Sequence, residues 1–267
     1  MSAEVAPVRH LAHQEVMGTV VTFDVHTSAS EVRVREAVAE AMGWLDWVDD
    51  TFSTYKPDSE VCRFDRGELS LDACSPELRE VLVLCNDYGR RTEGYFDAWA
   101  TGRFDPSGLV KGWSVERASA LLAHLGFPDH LVDGGGDVRL RGAPGPGLSW
   151  QVGVRHPRRR DALVSALGLS AGAVATSGTY ERGAHVFDPV RSRPATELVS
   201  VTVVGPELTS ADAYATAALA MGPQALAWLD GLAGYEAELV SARGEGWCTA
   251  GFDALRTVPR ALAGGAA

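Results

Sequence analysis

The chain has 267 residues, of which 46% are hydrophobic and 22% are charged, a composition typical of a soluble globular protein. Its formal net charge is -11 and it has no long basic run, which argues against binding to nucleic acid or to an anionic membrane surface. Cys62, Cys74, Cys85 and Cys248 show neither a CxxC pair nor metal-ligand spacing with histidine, so we expect buried, reduced thiols.

The N-terminal stretch MSAEVAPVRHLAHQEV lacks the apolar segment of a signal peptide and the cysteine of a lipid anchor. No apolar run reaches the length of a membrane span. We therefore expect a cytoplasmic protein without a membrane anchor. The length suits a single domain over 1–267, built as two joined lobes.

Strand and helix signals follow one another irregularly along the chain. Alternating apolar side chains predict strands, and apolar side chains at helical spacing predict helices. In chain order, we predict a strand at 18–27, a helix at 31–50 after a capping box at 28–31, a loop at 53–60, helices at 75–94 and 111–125, strands at 137–142, 149–157, 172–178 and 198–205, a helix at 209–222, and strands at 237–242 and near Cys248. This order lacks the regular alternation of a doubly wound sheet, and it predicts an α+β fold with mixed sheets and packed helices.

The helix at 209–222, TSADAYATAALAMG, carries a carboxylate and a hydroxyl on an otherwise apolar surface. Asp212 and Thr216 are four residues apart, so they lie on the same face. One interpretation is structural: the carboxylate complements the helix dipole near a cap at Thr209 or Ser210, and the threonine bonds to its own backbone. The other is half of a site for a hard cation such as Mg²⁺, which prefers oxygen ligands.

Five other stretches place polar groups where core packing does not require them. FDPSGLVKGW (104–113) sets Asp105, Gly108 and Lys111 at the predicted start of a helix, where backbone N–H groups and a lysine favour phosphate. GYFDAW (94–99) is equally consistent with a helix cap and core aromatics, and DGGGD (133–137) taken alone favours a simple hairpin turn. ATSGTY (175–180) and HVFDP (185–189) put hydroxyls and a histidine near strand ends.

Taken in order, these stretches resemble the motifs of the ApbE family of FAD:protein FMN transferases, or flavin transferases. The resemblance covers roughly 14 to 222. It is carried by MGT (17–19), STYKPDSEVCRF (53–64), GYFD (94–97), DPSGLVKGW (105–113), DGGGDV (133–138), ATSGTY (175–180), HVFDP (185–189) and SADAYATA (210–217).

The resemblance implies an ApbE-like (T-fold-like) architecture and a Mg²⁺-dependent reaction with FAD as substrate. FMN would move from FAD to a threonine or serine hydroxyl of an acceptor protein through a phosphoester bond, with release of AMP. The implied Mg²⁺ ligands are Asp212, Thr216 and the backbone carbonyl of Gly108. The implied FAD contacts are Met17, Tyr55, Tyr95, Phe96, Asp97, Asp105, Lys111, Val186 and Phe187, with Thr176, Ser177 and Gly178 supporting the same pocket.

His185 is our candidate base for the acceptor hydroxyl, because imidazole titrates near neutral pH. Two rival functions share the same residues: a Mg²⁺-dependent FAD pyrophosphatase that gives FMN and AMP, and a non-catalytic flavin-binding protein. The chain also departs from the family pattern. Arg191 and Ser192 in DPVRSRP replace a usual Thr-Gly turn, and Asp133 stands where asparagine is commoner. These departures bear on partner recognition more than on the chemistry.

Overall fold

The computed structural model describes residues 7–179 and 187–258, apart from the side chain of Arg160. Its central feature is an eight-stranded antiparallel sheet with the strand order β1-β2-β3-β4-β7-β10-β11-β12. These strands are β1 (Val8–Val16), β2 (Thr19–Thr27), β3 (His130–Gly134), β4 (Val138–Arg141), β7 (Gly172–Gly178), β10 (Leu198–Gly205), β11 (Glu236–Ser241) and β12 (Gly246–Cys248). Two small two-stranded sheets accompany it: β5 (Trp150–His156) with β6 (Arg159–Leu169), and β8 (Phe187–Asp188) with β9 (Arg193–Pro194).

The helices pack mainly on one face of the central sheet. They are α1 (Glu31–Phe52), α2 (Glu60–Asp65), α3 (Pro76–Arg91), α4 (Ser107–His124), α5 (Leu208–Met221) and α6 (Ala225–Asp230). Inward side chains such as Phe23, Val132 and Val203 join apolar residues of these helices in the larger core. None of the helices in the described ranges is both long and apolar enough to cross a bilayer.

The β5–β6 hairpin covers the opposite face of the sheet. Successive strand residues point to opposite faces, and in β7 the larger core takes Ala173 and Ala175 while Val174 belongs to a second core. This second core joins Val152 and Val164 of the hairpin to Val174. The sheet is therefore buried on both faces, which confirms the predicted α+β architecture of mixed sheets with packed helices.

Most predicted elements are present, and five strands are additional. The patterns missed β1, β3, β6, β8 and β9, as well as the short helices α2 and α6. β1 escaped detection because it is an edge strand with exposed apolar residues, Val8 at 56% and Leu11 at 51%, and therefore lacks a clear apolar alternation. β6 begins with the charged run Arg159–Asp161, which is atypical of a strand.

Two predicted helix starts and one predicted cap are wrong. The N-cap of α1 is Ser30, whose side chain makes no capping bond, so the predicted capping box does not form. α4 begins at Ser107, one turn earlier than expected. The N-cap of α5 is Glu207 rather than Thr209 or Ser210, and a side chain of α4 takes over part of the capping, as described below.

Candidate metal and flavin site

The site is built on the contact between α4 and α5, which run antiparallel. Gly108 faces Thr216 and Gly112 faces Asp212, each pair one helical turn from the next. A Cβ atom at Gly112 would lie 2.6 Å from the Asp212 Cβ and 2.9 Å from the Leu208 carbonyl oxygen, so only glycine fits at this contact. Two glycines four residues apart therefore let α5 approach α4 closely.

Asp212 is buried at this contact, with 4% of its surface exposed. Its Oδ2 atom accepts a hydrogen bond from the backbone N–H of Gly112 at 2.9 Å. It lies in the second turn of α5, since the helix starts at Leu208. Asp212 therefore meets α4 rather than serving only as a first-turn charge near its own helix start.

Thr216 completes a group of oxygen atoms from three elements. Its hydroxyl lies 3.1 Å from the Ser177 hydroxyl of β7 and 3.5 Å from the carbonyl oxygen of Gly108 on α4. The structure thus brings the three residues predicted as metal ligands, Gly108, Asp212 and Thr216, into one helix contact beside Ser177.

This donor set suits a hard divalent cation. It offers one carboxylate, one hydroxyl and one backbone carbonyl, and Mg²⁺ is commonly held by one or two carboxylates while it keeps waters and binds substrate phosphates. In the two ranges that the structure describes, no group of three or more His, Cys, Asp and Glu side chains is arranged to hold a metal. A carboxylate, a hydroxyl and a carbonyl oxygen fit Mg²⁺ better than a cation that needs nitrogen and sulfur ligands.

Lys111 is tied to the sheet by an ion pair. Its Nζ atom lies 2.7 Å from Oδ2 of Asp137, whose side chain is 1% exposed, while 25% of the lysine side chain is exposed. The other oxygen of Asp137 accepts the backbone N–H of Thr176 at 3.1 Å. Asp137 was not among the predicted site residues, although it is the last residue of the DGGGD stretch. Its position next to that glycine turn is the one signal that points to it.

The hydroxyl and backbone groups at the end of β7 line up beside this ion pair. The Thr176 hydroxyl lies 2.9 Å from that of Thr202 on β10, and Gly178 pairs with Ser200 across the same two strands. Thr176, Ser177 and Gly178 therefore lie at the same end of the sheet as Lys111. Thr202 was not foreseen, because it lies inside an apolar strand pattern.

The predicted aromatic contacts divide into buried and exposed residues. Phe96 is 4% exposed, and a Cβ atom added at Gly108 would lie 3.4 Å from the edge of its ring. Tyr95 is 9% exposed, and its hydroxyl accepts a hydrogen bond from Gln224 at 2.7 Å. Tyr55 is 89% exposed. Phe96 therefore borders the metal-ligand candidates, whereas the structure does not bring the Tyr55 ring into the described site.

Asp97 and Asp105 are exposed and act locally in turns. Asp97 Oδ1 accepts the Trp99 N–H at 2.8 Å, and Asp105 Oδ1 accepts the Ser107 N–H at 3.0 Å. The second bond supports the first turn of α4. The carboxylate of Asp105 therefore helps to set the position of the helix that carries Gly108.

Met17 lies in the turn between β1 and β2 with a positive φ of 53°. Its sulfur accepts a hydrogen bond from the Ser114 hydroxyl at 3.8 Å, one turn along α4 from Lys111. This contact brings the predicted residue Met17 to the α4 side of the site. Phe187, in β8, is half-buried and pairs with Pro194. His185 and Val186 lie outside the described residues.

Arg191 joins the β8–β9 segment to the aromatic part of the site. Its guanidinium pairs with Asp188 at 3.0 Å and lies 5.9 Å from the centre of the Tyr95 ring. It also donates to Gln224 at 3.2 Å. Ser192 has a positive φ of 51°, a conformation that glycine adopts without strain. Arg191 thus adds a cation beside Tyr95 in a turn that departs from the family pattern.

A groove of about 470 Å³ lies elsewhere, between β1 and α1. Arg9, His10, Val34, Arg35 and Met42 are among its lining residues, and none of the predicted site residues lines it. The candidate site is therefore defined by the convergence of its polar groups rather than by this groove.

This α+β protein thus carries a cluster of oxygen atoms and a paired lysine at one end of an antiparallel sheet. The model of the ApbE family matches residues 17–101 and 98–239. The chain belongs to the ApbE family.

Individual relatives agree with this assignment. The FAD:protein FMN transferase of Salmonella typhimurium is 30% identical, over 91% of this chain and 87% of the relative. The protein of the same name from Escherichia coli K12 is 26% identical, over 67% of this chain and 69% of its own length.

Solved structures show the same fold. The flavin transferase ApbE from Vibrio cholerae superposes with a TM-score of 0.81 at 21% identity, covering 93% of this chain and 99% of that chain. The apo form of the flavinyl transferase ApbE from Pseudomonas stutzeri gives a TM-score of 0.80 at 22% identity, covering 97% and 100%. The ApbE-like architecture expected from the sequence is therefore confirmed.

Proposed function

We propose that this protein is a FAD:protein FMN transferase that requires Mg²⁺. The observation that carries the proposal is the antiparallel contact between α4 and α5, which brings Gly108, Asp212 and Thr216 together. Family membership and relatives named FAD:protein FMN transferase support the same activity.

The reaction exchanges one phosphate bond for another. The hydroxyl oxygen of an acceptor threonine or serine attacks the FMN phosphorus of FAD. A phosphoester bond forms, the bond from that phosphorus to the bridging oxygen of the pyrophosphate breaks, and AMP leaves. The acceptor hydroxyl loses its proton, and we assign its removal to His185 because imidazole is an effective base near neutral pH.

Asp212, Thr216 and the Gly108 carbonyl would hold Mg²⁺, which when bound neutralises charge on the pyrophosphate. Lys111 adds a second positive charge, and Asp137 fixes the direction of its side chain. A positioned cation stabilises the charge that develops on the departing AMP oxygen more effectively than mobile water does. The carboxylate of Asp137 is buried, so it orients the lysine without being free to approach the phosphates.

Phe96 and Tyr95 supply the apolar surfaces expected beside a planar ring system. Both are packed: the Tyr95 hydroxyl accepts a hydrogen bond from Gln224, and the Phe96 ring lies 6.3 Å from the Tyr88 ring in an edge-on contact. We infer that the flavin or adenine ring of FAD contacts this aromatic pair, with its pyrophosphate toward α4.

The decisive test is incubation with FAD, Mg²⁺ and candidate acceptor proteins, followed by intact mass measurement of both proteins. A transferase adds one FMN to the acceptor and releases an equal amount of AMP. Release of FMN and AMP with no mass change on any acceptor would instead identify a pyrophosphatase. Binding of FAD with no cleavage would identify a flavin-binding protein. Omission of Mg²⁺ and addition of EDTA provide the control for metal dependence.

A further inference from the structure

We propose that the tip of the β5–β6 hairpin is a docking surface for an acidic region of the acceptor protein. The surface, called here the arginine tip, consists of Arg155, Arg158 and Arg159. The inference rests on the proposed transferase function, because only a transferase must bring a second protein to the site.

The arginine tip lies at the same end of the sheet as the candidate site. The Arg158 guanidinium donates to the carbonyl of Ala242, directly after β11. In the ladder there, Leu198 pairs with Ser241, and Ser200 pairs with Gly178 at the end of β7. The tip therefore borders the strand ends that carry Thr176, Ser177 and Gly178.

Electrostatics gives a second and independent link between the tip and the site. Burial raises the pKa of Asp133, at the end of β3, while the positive charges of Lys111 and Arg155 oppose that rise. Arg155 and the candidate phosphate ligand Lys111 thus act on the same carboxyl group. This places the arginine tip at the rim of the candidate site.

The tip is positively charged on a chain with a net charge of -11. All three arginines are exposed, and within the described ranges none of them forms an ion pair. The sequence RHPRRRD (155–161) contains four arginines and one aspartate. Charges separated by more than about 10 Å are largely screened at physiological salt, so a partner at the rim experiences this local charge more than the net charge of the chain.

Arginine guanidinium groups pair with carboxylates in a planar, bidentate geometry, which favours an acidic protein surface as the occupant. FAD is a less suitable occupant because Lys111 and the metal-ligand candidates already serve its phosphates. Exposed charges at the rim of an interface mainly change association rate and salt dependence. A docking role therefore predicts weaker acceptor binding, with unchanged FAD binding, when the arginines are neutralised.

The test uses two short synthetic peptides labelled with rhodamine, each with a central threonine. Glutamates flank the threonine in one peptide, and glutamines take their places in the other. Fluorescence anisotropy measures binding at about 50 mM and about 300 mM NaCl, between which the screening of exposed charges increases. The variant is R155Q/R159Q, which leaves the Arg158 bond to Ala242 intact.

The matched control is R33Q/R35Q, which removes the same charge from exposed positions on α1. Arg33 lies over the Phe127 ring, beyond the opposite end of β3 from the glycine turn. FAD affinity is measured in parallel by fluorescence quenching for the wild type and both variants.

We expect the wild type to prefer the glutamate peptide and to lose that preference at the higher salt concentration. R155Q/R159Q should weaken binding of the glutamate peptide by about fivefold, because two exposed ion pairs are lost. The control variant and all FAD affinities should stay near wild-type values. Equal binding of the two peptides, no binding of either, or an equal loss in the control variant would overturn the docking surface. Weaker FAD binding by R155Q/R159Q would assign the arginines to FAD and would also overturn it.

These outcomes are separable from failure of the proposed function. FMN transfer to the threonine of both peptides at equal rates would overturn the docking surface and leave the transferase standing. Salt-dependent binding of the glutamate peptide, combined with no transfer to any acceptor, would overturn the transferase and keep the anion-binding tip.

Discussion

The backbone N–H of Gly112 donates to the carboxylate of Asp212 across 2.9 Å, although 100 residues separate the two in sequence. Further contacts between α4 and α5 lie one helical turn to either side of this pair. Gly108 meets Thr216, and Glu116 Oε2 accepts the N–H of Leu208 at 2.8 Å. Glu116 also pairs with Arg139 at 2.8 Å. One face of α4 thus sets the position of α5 along its first three turns.

Asp212→Asn should retain the fold and lose most FAD cleavage. The amide oxygen can still accept the Gly112 N–H, so the free energy of unfolding should change by about 1 kcal/mol or less. The loss of the negative charge that a hard cation requires should lower the Mg²⁺-dependent rate on the order of a hundredfold. Melting curves and initial rates over a range of Mg²⁺ concentrations test both parts. Normal turnover at ordinary Mg²⁺ concentrations would remove Asp212 from the metal site.

Thr216→Val should lower the Mg²⁺-dependent rate less than the Asp212 substitution does. Valine keeps the side-chain shape but lacks the hydroxyl that contacts Ser177 and Gly108, and water can replace a neutral ligand. Higher Mg²⁺ should therefore restore much of the rate. Thr216→Ser retains the hydroxyl and serves as the control. If valine and serine variants show the same Mg²⁺ titration, the hydroxyl is structural.

Gly112→Ala should separate α5 from α4 and destabilise the protein. The new Cβ would lie 2.6 Å from the Asp212 Cβ, which the packed helix can relieve only by moving. Such overpacking costs about 1–3 kcal/mol. Gly43→Ala, within α1, is the matched control. Apart from the adjacent residues and the nearby backbone of the same helix, no atom lies within 4 Å of the added methyl group. That change should stabilise by up to about 1 kcal/mol, since alanine favours helix. Equal effects in denaturant titrations would show that the helix contact tolerates a side chain.

Lys111→Met should destabilise the fold as well as weaken FAD binding. The substitution leaves the buried Asp137 carboxylate without this cation at 2.7 Å. Because the lysine is partly exposed, we expect a cost of about 2 kcal/mol, below that of a fully buried pair. The double change Lys111→Met with Asp137→Asn removes both charges and should recover stability without recovering FAD affinity. Recovery of FAD affinity in the double variant would show that Lys111 acts only by neutralising Asp137.

Acid should destabilise the protein through His130. Burial lowers the pKa of His130 to about 4 from an ordinary value of 6.5, with Arg141 and Arg139 adding to the effect. Nδ1 lies 2.7 Å from the carbonyl of Phe127 and Nε2 lies 2.7 Å from the Ser119 hydroxyl, to which Arg141 donates. Nδ1 therefore donates and Nε2 accepts, which is the neutral form.

The sign follows from proton binding. Between about pH 4 and pH 6.5 the unfolded chain holds a proton on this histidine that the folded chain does not, so stability falls as the pH falls through this window. The total loss is about 3 kcal/mol. His130→Gln should flatten this part of the stability profile, whereas His124→Gln, at an exposed helix position, should leave it unchanged. An unchanged slope in the His130 variant, measured by denaturant titration at each pH, would assign the acid sensitivity to other groups.

Local sequence patterns were enough to predict those elements whose signals are complete within a short segment. Apolar residues alternate in β2 and form a nearly continuous run in β10. The C-cap of α5 is Gly222 with a positive φ of 76°, as a glycine at this position predicts. The order of the motifs also determined the family, because their types and spacing are properties of the chain alone. These features depend on neighbours within a few residues, which a sequence displays directly.

Which helix faces and which charges meet follows from the packing of distant segments and could not be predicted from local patterns. No periodicity in α4 shows that Gly112 lies against Asp212, that Glu116 replaces the expected cap of α5, or that Lys111 pairs with Asp137. Each of these contacts joins segments far apart in the chain, and each depends on the antiparallel packing of two helices or on the order of strands in the sheet. The choice between a structural and a metal-binding Asp212 rests on such contacts, because a carboxylate is functional only through the groups that fold around it.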